Sequence, residues 1–150
     1  AAEWVGPYDD EKLGFHKVAK NYYFPGWWEP GPCVHFFVNK DQWAKLPKDY
    51  QAAWEAAAYE ANVTMMAEYD AKNPAALRRL VGQGVKLKKY SADILDAAYK
   101  AAVDLYNEES GKNPAFKKIY TEYLKFQKEQ NQWFSVAELG MDQFLQSRIK

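Results

Sequence analysis

The sequence predicts a predominantly helical α/β fold with two or three short strands. From Asp41 onward Ala, Leu, Lys, Glu and Gln dominate, and apolar residues recur at steps of three and four. The first forty residues are instead aromatic, short-segmented and punctuated by Gly and Pro. The strands are few and far apart in the chain, so strands from elsewhere are expected to complete the sheet. At 150 residues and 48% hydrophobic, the length suits one domain.

Taken in order, Asp9, Asp10 and Glu11 open a short helix through Leu13, where acids favour the first turn through the helix dipole. Asn21–Phe24 reads as a weak strand ended by Pro25. Pro32–Asn39, with Val34, Phe36 and Val38 at period two, reads as a buried strand. After Pro47, Tyr50, Trp54, Ala57, Ala61, Met65 and Tyr69 mark one face of a long helix. Asn73-Pro74 is expected to end that helix and start another, with Asn73 as cap and Pro74 in the first position. Gly82 and Gly84 stop the short helix carrying Leu77, Leu80 and Val81. Val85 and Leu87 alternate with lysines as a brief strand, and Ser91 begins a helix with Ile94, Ala98, Ala101 and Leu105 on one side. Asn113-Pro114 repeats the cap device before the stripe Phe116, Ile119, Tyr120, Tyr123 and Leu124. Ala137, Met141, Phe144, Leu145 and Ile149 form a last stripe.

Several function classes fall away. Twenty basic residues balance twenty acidic ones, so no bulk positive field exists to hold a nucleic-acid backbone. No apolar run approaches bilayer-spanning length, and Ala1–Asp10 lacks a signal-peptide pattern. Cys33 is the single cysteine, which excludes an intrachain disulfide. No GxSxG, Walker or GxGxxG motif is present. His16, His35 and Cys33 show no metal spacing; a Cys33–His35 nucleophilic pair lacks an orienting third group. Met65, Met66 and Tyr69 read as core at helical spacing, and Lys86, Lys88 and Lys89 as a solvated edge. Arg78 and Arg79 read as residues of an exposed helix face.

The segment Asn21–Pro32, NYYFPGWWEPGP, carries the most chemical information. Tyr23, Trp27 and Trp28 crowd beside Glu29 on a turn stiffened by Pro25, Gly26, Pro30 and Gly31, where conformational freedom is already low. A loop that plugs a core is the plain alternative. Glu3 beside Trp4 repeats the Trp-Glu pairing near Gly6 and Pro7. Carboxylates partly desolvated by indole rings are tolerated when a cation meets them, so Glu3 and Glu29 are candidate oxygen ligands for a hard metal ion.

Together, EWVGPYDD, PGWWE, the following VNKDQWAKLP segment and the long helix resemble the DctP-type solute receptors of tripartite ATP-independent periplasmic (TRAP) transporters, along the whole chain and most closely the 2-oxo-acid branch. The resemblance implies a periplasmic protein of two α/β lobes that close on a small organic acid anion such as pyruvate and deliver it to the membrane permease subunits. It implies a bridging metal ion, sodium in the first place and calcium in related lactate receptors. Glu3, Trp4 (by its backbone carbonyl as well as its ring) and Glu29 match the metal-binding segments, and Tyr23, Trp4, Trp27 and Trp28 would form the solute walls. The chain matches only the C-terminal half: residues 1–40 would carry the ligand site and 41–150 the helical part. Helix 133–150 matches the element that the branch exchanges in its homodimer. The arginine that clamps the solute carboxylate, and a glutamine that touches metal and solute, match positions upstream of Ala1; Arg78 and Arg79 do not match the clamp. A companion fragment supplying the other half is therefore expected. The rival readings are a receptor of the same family for lactate, another monocarboxylate or a dicarboxylate with calcium, a stand-alone helical interaction module, and a small enzyme using Glu3, Glu29 or Cys33.

Overall fold

The computed structural model describes residues 3–29 and 33–149. The chain divides into two compact units, Ala1–Ser91 and Ala92–Lys150.

In the first unit, α1 (Pro7–Leu13) begins with Pro at its first position, where a missing N–H costs nothing. Gly6, at φ +155°, precedes it and has no side chain with which to cap. The cap comes instead from far along the chain: Tyr8 N–H donates to Asn73 Oδ1 at 3.0 Å. Gly14 ends the helix in the left-handed region and returns its N–H to the Asp10 and Glu11 carbonyls. A 3-10 turn, Phe15–Lys17, leads to β1 (Asn21–Phe24), which ends at a cis Phe24–Pro25 peptide bond.

Asn39 caps α2 (Lys40–Lys45) by accepting from the Asp41 and Gln42 amides. Its C-terminal carbonyls are met by the buried Gln51, whose Nε2 donates to Trp43 O at 2.8 Å and Leu46 O at 3.1 Å.

The expected break at Asn73-Pro74 does not occur: α3 runs without interruption from Lys48 to Gly82. Pro74 has no N–H for the Asp70 carbonyl, a loss worth roughly 3 kcal/mol in an isolated helix. Docking of α1 at this point offsets it. Besides the Tyr8–Asn73 bond, Tyr69 Oη donates to Asp9 Oδ2 at 2.5 Å, and Arg79 grips Glu11 bidentately at 2.9 and 2.6 Å. Asn73 thus caps α1 across space rather than a new helix of its own. Lys12 and Lys72 lie over the Tyr8 ring at 3.9 and 5.0 Å.

The Tyr69–Asp9 bond carries a pH signature. The bond to Asp9, with burial adding, pushes the Tyr69 phenol up to about 12 from its ordinary value near 10. The folded state holds this proton more tightly than the unfolded chain, so the bond's contribution is fully present below pH 10 and is lost as pH rises through 12. Tyr69→Phe is expected to flatten stability over that window, as read by denaturant midpoints at successive alkaline pH values. An unchanged slope would show that the bond is not formed.

After Gly82, Gly84 (φ +88°) reverses the chain and Val85 N–H returns to the Leu80 carbonyl at 3.1 Å. Val85 is thereby buried with Leu80 and Ala76, the buried apolar core among the described residues. β2 (Lys86–Lys89) then pairs with β1 in parallel, Asn21 opposite Lys86 and Phe24 opposite Lys89, the long α2–α3 crossover making this direction possible.

The strand expected over Pro32–Asn39 is not formed. Pro32 lies outside the described residues, and 33–39 is irregular with Val34, Phe36 and Phe37 exposed. Alternation supplies two faces, but a strand also requires a neighbour for its main-chain bonds, and β1 and β2 pair only with each other among the described residues.

In the second unit, α4 (Ala92–Lys112) follows directly after Ser91. Here the Asn-Pro device works as the sequence predicts: Asn113 Oδ1 accepts from the Ala115 and Phe116 amides, and Pro114 opens α5 (Pro114–Phe134). Tyr106 of α4 packs on Tyr120 and Phe116 of α5 at 5.1 and 6.4 Å between ring centroids. A π turn, Ser135–Leu139, joins α5 to α6 (Gly140–Gln146). No helix among the described residues is long and apolar enough to cross a membrane.

Candidate solute and metal site

Two short segments meet in the first unit. The residues ahead of α1 bring Glu3 and Trp4, and the turn after β1 brings Trp28 and Glu29. They face a cleft of about 720 Å³, also lined by Tyr22, Tyr23 and Tyr90. The two candidate carboxylates therefore share one cleft. Trp27 is not part of its lining; it packs edge-on against Trp28 at 5.3 Å and 88°. Pro30 and Gly31, the far side of the expected turn, lie outside the described residues.

Tyr90 is a lining residue that the periodicity did not single out. It follows β2 immediately, and the parallel register that sets Lys89 opposite Phe24 brings it to Tyr23 (5.1 Å) and Trp28 (6.2 Å). A register argument on the two strands would have found it.

Asp10 is the second residue that sequence reasoning placed differently. Of the three acids in α1, Asp9 and Glu11 turn to α3, whereas Asp10 turns into the cleft and is only 5% exposed. Tyr22 Oη donates to Asp10 Oδ2, while Oδ1 is buried without a partner among the described residues. Burial pushes the Asp10 carboxyl above the ordinary carboxylate range; the Tyr22 bond opposes this, and the charges of Asp9 and Glu3 add to it. Burial, then the bond to Asp10, raises the Tyr22 phenol. No contiguous acidic pattern distinguishes Asp10 from its neighbours; only the docking of α1 does.

Glu3, Glu29 and Asp10 place three carboxyl groups among the residues lining this cleft. Lys20, which also lines it, donates instead to the Gln83 carbonyl at 3.4 Å. Carboxylate oxygens are the donor type that a hard cation takes. Among the described residues no three His, Cys, Asp or Glu side chains are grouped to hold a metal ion, so Glu3 and Glu29 alone would be an incomplete set of oxygen ligands. Arg79 is committed to Glu11. Cys33 Sγ lies 3.8 Å from His35 Nε2, but both residues are exposed on the irregular 33–39 segment rather than on a strand face, away from this cleft.

The family model for bacterial extracellular solute-binding proteins, family 7 (DctP), matches residues 1–112, well over half of the chain. The chain belongs to the DctP family. It is 49% identical, over 98% of its length, to a monocarboxylate 2-oxoacid-binding periplasmic protein of Nostoc sp. (strain PCC 7120). It is similar in structure, with a TM-score of 0.94 and 49% identity over 98% of the chain, to a TRAP transporter solute-binding protein from Bordetella bronchiseptica RB50, a mixed-occupancy dimer with copurified calcium and picolinate in one site. A TRAP solute-binding protein from Pseudoalteromonas atlantica T6c, with bound sodium and pyruvate, matches at TM-score 0.86 and 29% identity over 99% of the chain.

The chain spans 40% of the Nostoc relative and 44% of each of these two structures. The DctP fold seen here is accordingly a part of a TRAP periplasmic binding protein, as the residues predicted. A parallel pair is normally covered on both faces, and here β2 is exposed along its whole length. DctP proteins are solute receptors of transport systems, and calcium and sodium both occur in the relatives.

Proposed function

We propose that this chain is the C-terminal portion of a periplasmic TRAP receptor that binds a 2-oxo acid such as pyruvate through a bridging metal ion, delivers it to the membrane permease subunits, and does not transform it. The convergence of Glu3 and Glu29 on one aromatic cleft carries the reading. Glu3, Glu29 and the Trp4 carbonyl would hold the cation, sodium in the first place and calcium as the alternative. A bound cation supplies the positive charge that neutralises the solute carboxylate. Tyr23, Trp4 and Trp28 would wall the solute and exclude water, with Trp27 bracing Trp28. The remaining length of the receptor would supply the second lobe, the arginine clamp and further oxygen ligands, as a companion fragment or as contiguous chain. Binding then favours the closed arrangement of the lobes to the extent that the solute touches both. The segment 133–150, which includes the π turn and α6 and whose Lys150 lies outside the described residues, would pair two receptors as a homodimer.

The deciding experiment is calorimetric titration of the full-length protein that carries this chain with pyruvate, in sodium, in calcium and in chelator. Binding that requires one of the two metals is the expected result. Metal-independent binding, or none, would discard the reading. Lactate in the same titration separates the 2-oxo from the 2-hydroxy preference.

A further inference from the structure

We propose that the Asp10–Tyr22 hydrogen bond is a positioning pair for the binding cleft, holding the Glu3–Trp4 segment at the spacing from Glu29 that one cation bridging them requires. The proposal rests on the reading of Glu3 and Glu29 as ligands. Three observations on the pair converge.

The first is cost. Asp10 is buried, accepts one bond, and leaves Oδ1 without a partner among the described residues. A buried carboxyl with an unmet oxygen opposes folding, and an apolar side chain in its place would serve packing better. Structural need alone does not account for it.

The second is connectivity. Asp10 sits on α1, which follows Glu3 and Trp4 after Val5 and Gly6; Tyr22 sits on β1, whose following turn carries Trp28 and Glu29. The other long-range side-chain bonds of α1, from Tyr8, Asp9 and Glu11, all go to α3. They fix α1 against α3 and reach β1 only indirectly, through the turn into β2. Among the described residues the Asp10–Tyr22 bond is the side-chain hydrogen bond that joins α1 to β1.

The third is location. Asp10 and Tyr22 line the same cleft as Glu3 and Glu29. Residues that orient metal ligands without touching the metal affect affinity by about 10- to 100-fold.

The test uses the full-length protein with Tyr22→Phe, Asp10→Ala and Asp10→Asn, titrated calorimetrically with calcium chloride. Hydrogen exchange of the residue 3–6 amides is followed in metal-free protein. Tyr22→Phe and Asp10→Ala are expected to weaken calcium about tenfold and to speed exchange of those amides. Asp10→Asn, whose amide oxygen still accepts from Tyr22, is expected to restore both. Wild-type calcium affinity in Tyr22→Phe, even with a lowered melting temperature, would reduce the pair to a structural bond and overturn the proposal. Equal damage from Asp10→Asn and Asp10→Ala would assign the effect to charge and overturn it as well. A wild-type protein that binds neither calcium nor sodium would overturn the ligand reading and this proposal with it, an outcome distinct from metal binding that Tyr22→Phe leaves intact.

Discussion

Glu29→Gln is expected to weaken metal-dependent pyruvate binding by about 100-fold or more, the upper end of what even indirect perturbation of a metal site achieves. The substitution keeps shape and replaces an anionic donor by a neutral one. Glu29 is exposed in this structure and shares the cleft with Glu3, so the change removes charge from the cleft without opening a cavity. Stability and circular dichroism should therefore stay at wild-type values while affinity falls, which separates a ligand from a structural residue. Retained affinity would move the cation elsewhere in the cleft. Retained metal binding with lost pyruvate binding would make Glu29 a solute contact instead.

The residues disclosed the class of fold and the segments that line the cleft more fully than the contacts that hold those segments together. The repeated Trp-Glu pairing at 3–4 and 28–29 identified both segments, and the structure brings both to one cleft. Asp10 reaches that cleft from α1, which is held by Asn73, Tyr69 and Arg79 some sixty or more positions away. No local pattern encodes such partners. The two Asn-Pro pairs make the point within one chain. Asn113-Pro114 starts a helix because the Asn113 side chain is free to cap its own next turn. Asn73-Pro74 continues one because α1 takes the Asn73 oxygen, and tertiary contacts override the local signal. At 33–39 the alternation supplies two faces without a strand, because a strand is a pairing and among the described residues only β1 and β2 pair.

Leu80→Ala is expected to destabilise the first unit by about 3 kcal/mol, within the range for emptying a leucine-sized space in a packed core. Leu80 is 2% exposed and shares the buried core with Ala76 and Val85. Its carbonyl also receives the Val85 amide in the turn that launches β2, so side chain and backbone at this residue fix the same corner. Little else in the first unit is buried enough to compensate, and β2 carries Tyr90 to the cleft wall. The expected consequence is coupled: a lower denaturant midpoint, and loss of the Tyr90 contacts that frame Trp28. Phe37→Ala, at a residue 91% exposed, is the matched control and should shift the midpoint by no more than about 0.5 kcal/mol. Urea titrations of the two variants decide the matter. Equal small effects would mean that Ala76, Leu80 and Val85 are not where this unit derives its stability. A large effect at Phe37 in the full-length protein alone would show that the 33–39 segment gains its covering partner there.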